Sequence, residues 1–375
     1  MKIGLLGFGS MGKTHLYCAS NLKYFFKNDF NAKIVSVCTK NIENAKNASL
    51  NYGIEKFTDN ENDIINDKEI DAIDICTPNI YHYETAKKAI MAGKHVYCEK
   101  PLAVSYQQAK ELSRLAKENG VKCHMVFNNR FLSPILKAKE LIDEGKLGRI
   151  LSFSGAYHHS SALDINKTGW KQDKKVCGGG VLFDLGSHVV DLIYYLCGKF
   201  DSVYGMSQIA FPNRKGINGQ DWKTNADEAF YLLATLKNGA KGTVTVSKIT
   251  TGSNDDLTLE IHGEKGSVRF NLMNPNFLEF YSCEAKDGNY GGEKGYTQIE
   301  CVNKYPSPGG IFPGIKAPIG WLRGHLGNYY SFVDCIANDT EPSISFEDGA
   351  YVQLVLESAY TSDKLGIKIE VKEND

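Results

Sequence analysis

The sequence predicts an α/β protein of two domains, a doubly wound parallel sheet followed by an α/β domain built on a mostly antiparallel sheet. Three observations predict it. The first third alternates short β-rich runs with helical patterns, the signature of βαβ units. A glycine turn, GFGSMG at Gly7 to Gly12, joins the first such strand to the first helix. After about residue 149 the alternation gives way to consecutive strand-like runs separated by short turns.

The elements follow in order. KIGLLG precedes KTHLYCASNLKYFF, KIVSVCTK precedes NIENAKNASLNYG, DAIDICTP precedes YHYETAKKAIMAG, and KHVYCEKP precedes SYQQAKELSRLAKENG. VKCHMVF then leads into PILKAKELIDEGKLG. Gly53, Gly93, Gly120 and Gly145 fall where these helical patterns end, as C-terminal caps do. The later strands are ILSFSGAYH, SVYGMSQIA, AFYLLATL, AKGTVTVSKI, LTLEIHG, GSVRFNL and FLEFYSC, with KNGAKG and HGEKG as turns. Between the first two of these, CGGGVLFDLGSHVVDLIYY reads as one helix. A Pro/Gly-rich loop, KYPSPGGIFPGIKAPIG, precedes two C-terminal helical patterns. The domain boundary is expected at 127/128, with residues 1–127 binding dinucleotide and 128–375 binding substrate and forming oligomer contacts.

Composition narrows the function classes. The 375 residues are 42% hydrophobic and 23% charged, with a formal net charge of −1, so no global field favours nucleic acid or an anionic membrane. No uninterrupted apolar run approaches the length of a membrane span, and the glycine-broken N-terminus does not read as a signal peptide. The ten cysteines form no C-x-x-C pair, and several sit inside apolar strands. A reducing cytoplasm suits them better than a disulfide framework.

The glycine turn satisfies G-x-G-x-x-G between a strand and a helix. Gly7 permits the tight turn, Gly9 lets backbone approach a pyrophosphate, and Gly12 allows close helix–strand packing. Phe8, Ser10 and Met11 complete the phosphate-binding turn at the helix N-terminus. The second strand ends in Cys38-Thr39-Lys40, without the acid that usually grips the ribose hydroxyls of NAD. Thr39 and Lys40 suit a 2′-phosphate, so NADP(H) is favoured and NAD(H) stays open.

Asp184, His188 and Asp191 stand at i, i+4 and i+7, on one helical stripe beside the apolar face of Val181, Leu185, Val189 and Leu192. Zinc ligation by this stripe is conceivable, but no second ligand cluster accompanies it, and no metal is expected.

Together GFGSMG, CEKP at Cys98 to Pro101, and GGGVLFDLGSH at Gly178 to His188 closely resemble the Gfo/Idh/MocA oxidoreductases. The resemblance extends to CTPN at Cys76 to Asn79, to His82, and to NNRF at Asn128 to Phe131. It implies an N-terminal Rossmann domain, a C-terminal α/β domain with a large, mostly antiparallel open sheet, and a homodimer or homotetramer. The active site would lie between the domains. Thr77, Pro78, Asn79, His82 and Glu99 would join the cofactor site, Lys100 would contact both cofactor and substrate, and Pro101 would follow a cis bond. Asp184 and His188 would hold the substrate hydroxyl. Asn129, Arg130, Tyr157 and Trp170 are further substrate candidates by position and chemistry; Asp191 is not placed in the catalytic set.

The chemistry agrees with that assignment. Oxidising a secondary alcohol requires a base for the O–H proton, and an imidazole of pKa about 6.5 exchanges protons near neutrality. Lys100 would stabilise the developing alkoxide, and Asp184 would orient the imidazole or a neighbouring hydroxyl. The expected function is NAD(P)-dependent hydride transfer at a secondary hydroxyl or ketone of a sugar, cyclic polyol or glycoside. Two alternatives stand beside it: a redox-neutral glycosidase using bound nucleotide, and a non-catalytic sugar or nucleotide sensor.

Overall fold

Strand β1 (Lys2–Leu6) is buried at every residue after its first, as a parallel strand covered on both faces must be. It opens a six-stranded parallel sheet in the computed structural model, which describes residues 1–27, 30–166, 168–216 and 219–373. Its successors are α1 (Ser10–Phe25), β2 (Lys33–Cys38), α2 (Ile42–Tyr52), β3 (Lys56–Thr58), α3 (Glu61–Ile65) and β4 (Ala72–Ile75). Then come α4 (His82–Met91), β5 (His95–Cys98), α5 (Tyr106–Glu118) and β6 (Cys123–Met125). The strand order is β3-β2-β1-β4-β5-β6, the doubly wound order that reverses direction beside β1. Asn41 starts α2 by accepting the Glu43 and Asn44 N–H groups, and Gly53, at φ +69°, ends it.

The second sheet has nine strands. After α6 (Ser133–Asp143) and β7 (Ile150–His158) come the short α7 (Lys174–Cys177) and α8 (Ser187–Cys197). The strands β8 (Phe200–Gln208), β9 (Asn213–Lys215), β10 (Asp221–Lys223), β11 (Ala229–Leu236), β12 (Lys241–Ser247) and β13 (Asp256–Gly263) follow. The series runs on through β14 (Gly266–Asn271), β15 (Phe277–Ser282), β16 (Thr297–Glu300), α9 (Trp321–Ala337), α10 (Phe346–Leu365) and β17 (Ile369–Glu370). The order is β16-β15-β14-β13-β7-β12-β11-β8-β17, with β9 and β10 paired apart. β7 runs parallel to β12 and antiparallel to β13, so the sheet is mixed but mostly antiparallel. Strand β11 alternates buried and exposed residues along most of its length, which marks a sheet with one solvated face.

The single helix expected over Cys177 to Tyr195 is wound differently. α7 ends at Gly178, and Leu182–Gly186 forms a π-turn that feeds α8. The widened turn contains Asp184, and π-turns recur at functional positions. By length and composition the helical run Lys174–Cys197 is apolar enough to cross a membrane, yet 83% of its most apolar window is buried inside the protein. It is a core helix.

The chain separates into two compact units, Met1–Phe131 with Tyr305–Gln353, and Leu132–Lys304 with Leu354–Asp375. The expected boundary at 127/128 put everything beyond it in the second domain; the segment Tyr305–Gln353 instead packs with the first. The cause is α9, whose Leu326, Tyr329, Phe332 and Val333 enter the same core as Ile3 and Leu5 of β1 and Cys18 and Leu22 of α1. Helical periodicity shows that a helix is amphipathic, not which core receives it.

His124 in β6 is fully buried, and burial pushes its imidazole down to about 3. The unfolded chain takes up this proton below about pH 6.5 while the folded protein does not. Stability therefore falls as pH drops from about 6.5 towards 3, by about 1.4 kcal/mol per pH unit for this one group. In His124→Gln, urea unfolding at pH 7 and pH 5 is expected to show a smaller acid loss than in the parent. Equal losses would remove His124 from the account.

Candidate functional site

The dinucleotide end is built from three glycines with different duties. Gly7 has φ +93°, and a Cβ there would lie 2.6 Å from the Cys76 carbonyl oxygen. A Cβ on Gly12 would stand 2.3 Å from the Gly7 oxygen. Both glycines serve the close packing of turn, strand and helix. Gly9 differs, because a Cβ there meets nothing within 4 Å. It faces open space at the start of α1, where no side chain caps the first N–H groups. A cavity of about 530 Å³ adjoins it, lined by Phe8, Gly9, Lys13, Thr39, Asn44, Asn47, Ala48, Asn51 and Tyr52. Thr77 adds a buried hydroxyl oxygen that has no hydrogen-bond partner among the described residues. An uncapped helix start, an open glycine and an orphaned hydroxyl fit a pyrophosphate-bearing cofactor.

Among the described residues no carboxylate lines that cavity, and one cation does. The cation is Lys13, not Lys40, which is exposed. Thr39 gives its hydroxyl hydrogen to the Asn41 carbonyl at 2.7 Å and keeps acceptor capacity. Lys13 stands one position after the last motif glycine, outside the end of β2 where the ribose-side group is expected.

Four residues expected to contact cofactor or substrate make interior contacts in the first unit. His82 is fully buried, and its ring nitrogens lie 2.8 Å from the Thr77 and 2.8 Å from the Pro101 carbonyl oxygens. It ties two loops together and has no ring nitrogen left for a ligand. Glu99 is buried with Oε1 3.2 Å from His15 Nε2, while Oε2 accepts the Lys100 backbone N–H at 3.1 Å. It supports Lys100 from within. Asn129 and Arg130 are 3% and 6% exposed on a short 3-10 turn; Asn128 donates to the Asn129 side-chain oxygen, and Arg130 pairs with Asp348 at 3.5 Å. Both are interior groups. Lys100 is half-buried, the Lys100–Pro101 bond is cis, and Asn79 is buried on the turn after β4.

In the second unit the π-turn and α8 carry the other half of the expected set. Asp184 is held by two lysines, with Lys248 Nζ at 2.7 Å from Oδ2 and Lys171 Nζ at 2.9 Å from the same oxygen. His188, 9% exposed, meets Tyr157 edge-on at 6.0 Å between ring centroids. The Tyr157 hydroxyl donates to Asp255 Oδ1 at 2.5 Å, and His159 Nε2 reaches the same oxygen at 3.1 Å. Burial opposes ionisation of Asp255, but the His159 and Tyr157 hydrogen bonds, with His188 nearby, hold its carboxyl below the usual range. Burial and Asp255 push the Tyr157 phenol well up. Trp170 is 40% exposed beside Lys171, whose Nζ lies 5.7 Å from the ring centre. Lys171, Lys248, Asp255 and His159 were not singled out in the sequence.

A glycine turn that fits a dinucleotide at the first βα junction and a cluster of polar, titratable groups on the second unit accord with a nicotinamide-dependent oxidoreductase. The chain belongs to the Gfo/Idh/MocA family. Residues 1–127 match the oxidoreductase family's NAD-binding Rossmann fold, and residues 135–269 match the GFO/IDH/MocA C-terminal domain. Levoglucosan dehydrogenase from Pseudarthrobacter phenanthrenivorans is 31% identical over 370 residues, covering 95% of this chain and 94% of the relative. Glucose-6-phosphate 3-dehydrogenase from Bacillus subtilis is 28% identical, with 96% of each chain covered. Among solved structures, levoglucosan dehydrogenase in complex with NADH superposes with a TM-score of 0.95 at 30% identity over 100% of both chains. The same enzyme with NADH and levoglucosan gives 0.93 at 29% identity, again over 100% of both chains. The protein is an NAD(P)-dependent oxidoreductase.

Proposed function

We propose that the protein transfers hydride between a nicotinamide and a secondary hydroxyl or ketone of a sugar or polyol. The observation that carries this reading is the second unit's pairing of a lysine-held carboxylate, Asp184, with the imidazole of His188 next along the helix. The bound nicotinamide supplies the hydride acceptor. His188 takes the carbinol proton as the hydride departs, leaving a ketone. Asp184, ion-paired with Lys171 and Lys248, accepts a hydrogen bond from a substrate hydroxyl and fixes which carbon reacts. Lys100 sets its ammonium beside the developing alkoxide.

Relatives that act on levoglucosan and on glucose 6-phosphate make anhydrosugars, free sugars and sugar phosphates the first substrates to try. Stoichiometric enzyme mixed with each class is expected to change nicotinamide absorbance with one of them. Product formation without net nucleotide change would point to redox-neutral cleavage. Bound sugar without any reaction would point to a sensor.

The carboxylate-free cavity with Lys13 and Thr39 supports NADP(H) as the preferred cofactor. Thr39→Asp is expected to weaken NADP by about tenfold or more, through like-charge repulsion with the 2′-phosphate, while NAD binding holds or improves. Fluorescence titration of both nucleotides checks it, and unchanged NADP affinity would overturn the assignment.

The reading includes a homo-oligomer. Tyr204, Met206, Tyr231 and Leu233 form an exposed apolar block on neighbouring strands, with Tyr231 opposite Met206 and Leu233 opposite Tyr204. Such a patch on a sheet face suits association, and light scattering tests it. All ten cysteines are free and eight are buried, which suits a reducing compartment.

A further inference from the structure

We propose that His15, on the first helix, is a positioning residue for Lys100 and acts through Glu99. This rests on the reading of Lys100 as the group beside the alkoxide. The starting observation is a pair of carboxylates in the interior of the first unit, Asp74 on β4 and Glu99 just after β5, at 0% and 7% exposure. Burying one carboxylate is costly and burying two close together is more so, unless a cation lies between them. His15 supplies that cation. It is 0% exposed, with Nδ1 2.8 Å from Asp74 Oδ1 and Nε2 3.2 Å from Glu99 Oε1.

The ring has little freedom. Tyr97 of β5 stands 5.1 Å from it and Tyr329 of α9 stands 5.9 Å away, centroid to centroid. The Cys76 thiol touches both Nδ1, at 3.1 Å, and Asp74 Oδ1, at 3.5 Å. The imidazole of His325 of α9 lies nearby too, at 6.4 Å. Burial disfavours the imidazolium, but Asp74 and its neighbours raise His15 well above the ordinary value. Burial likewise opposes ionisation of Glu99, yet His15, Lys100 and His325 bring it down to about 2. His15 thus stands between the two carboxyl groups.

The consequence reaches the site through the far side of Glu99. Its second oxygen accepts the backbone N–H of Lys100 at 3.1 Å. A carboxylate that binds the next residue's N–H sets the plane of that amide, and so the direction in which the Lys100 side chain leaves the backbone. His15 approaches the first oxygen as an ion-pair partner at 3.2 Å and so favours this setting of the carboxylate. On the other side of Lys100, the Pro101 carbonyl lies against His82. Loss of His15 would leave Glu99 able to turn and Lys100 less well aimed, and a misplacement of about 1 Å costs about 10²-fold in rate.

The experiment compares His15→Gln, Glu99→Gln, the double variant and Lys100→Met in the full chain. His15→Gln is expected to lower kcat by about 10–100-fold, with sugar KM and dinucleotide Kd within about threefold of the parent. A loss confined to kcat marks aim; a merely loosened fold would weaken dinucleotide binding as well. The double variant should be no slower than Glu99→Gln alone, and His15→Gln should change the residual rate of Lys100→Met by less than about twofold. Should His15→Gln fold poorly, His15→Gln/Asp74→Asn removes a stranded carboxylate with the cation and carries the same comparison. A folded His15 variant with normal kcat, or additive losses in the double variant, overturns the proposal. Normal turnover in Lys100→Met would instead overturn the reading of Lys100, whatever His15 does.

Discussion

His188→Ala is expected to lower turnover by about 10²–10⁴-fold while the protein folds and binds dinucleotide as before. The size follows from the job. Without a positioned base, the carbinol proton must go to water in the same step in which the hydride leaves. The selectivity follows from where the residue stands. His188 lies in the first turn of α8, a helix that also buries Val189, Val190, Leu192 and Ile193, and alanine is the best helix former, so the helix survives. The imidazole is buried at 9% exposure, edge-on to Tyr157, whereas His15 and His82 are at 0%. The measurement is a single-turnover reduction of nucleotide by stoichiometric enzyme, with nucleotide affinity measured in parallel. A variant that reduces nucleotide at near the parent rate would mean that another group takes the proton, and the Tyr157–Asp255–His159 chain would be the next place to look.

Much of this was legible in the residues, and the part that was not has a common cause. The glycine turn could be read because each glycine has its own backbone reason, and the structure shows these reasons to differ: close approach at Gly7 and Gly12, open space at Gly9. The parallel, doubly wound character of the first sheet follows from strand–helix alternation, whereas its edge strand Lys56–Thr58 is three residues long and left no pattern to read. Chain proximity says nothing about which buried polar groups meet. His15, Asp74 and Glu99 come from three separate elements, and each alone resembles an ordinary helix or strand residue.

The second unit's missed residues did leave a trace. Val244 and Val246 of β12 are buried on the inward row, and Lys248 continues their parity. Gly155 and Tyr157 of β7 lead to His159 in the same way, and Leu257, Leu259 and Ile261 of β13 lead back to Asp255. Tyr157 pairs with Val246 on one side and Leu257 on the other, so the three inward rows end together. Three polar residues at inward parity, each one pleat beyond a strand end, mark a polar end to an apolar sheet face. Extending the period-two pattern past the last hydrophobic residue would have found them. The π-turn left no such sign, because a one-residue widening does not alter the sequence pattern around it.

The second large effect is on stability. Asp227→Ala is expected to lower the free energy of unfolding by about 3–5 kcal/mol. Asp227 lies just before β11, 7% exposed, and organises the glycine stretch ahead of the π-turn. Its Oδ1 accepts the Gly180 N–H at 3.0 Å and the Tyr360 hydroxyl at 2.5 Å, and its Oδ2 accepts the Leu182 N–H at 3.0 Å. Its backbone carbonyl takes the Val181 N–H at 2.8 Å. The approach is close enough that a Cβ on Gly180 would stand 2.2 Å from the Asp227 oxygen, which is why glycine occupies that position. Burial pushes the Asp227 carboxyl up against the pull of these donors, so they offset a desolvation cost. Alanine removes the acceptor and strands the Leu182 N–H and the Tyr360 hydroxyl. Asp227→Asn keeps one acceptor but turns an NH2 group towards a backbone donor, and is expected to fall between parent and alanine variant. Urea unfolding of the three proteins checks the order, and an alanine variant within about 1 kcal/mol of the parent would mean that water replaces the carboxylate cheaply. The same loop delivers Asp184 and His188, so the stability of the variants should decline together with turnover, whereas His188→Ala separates the two.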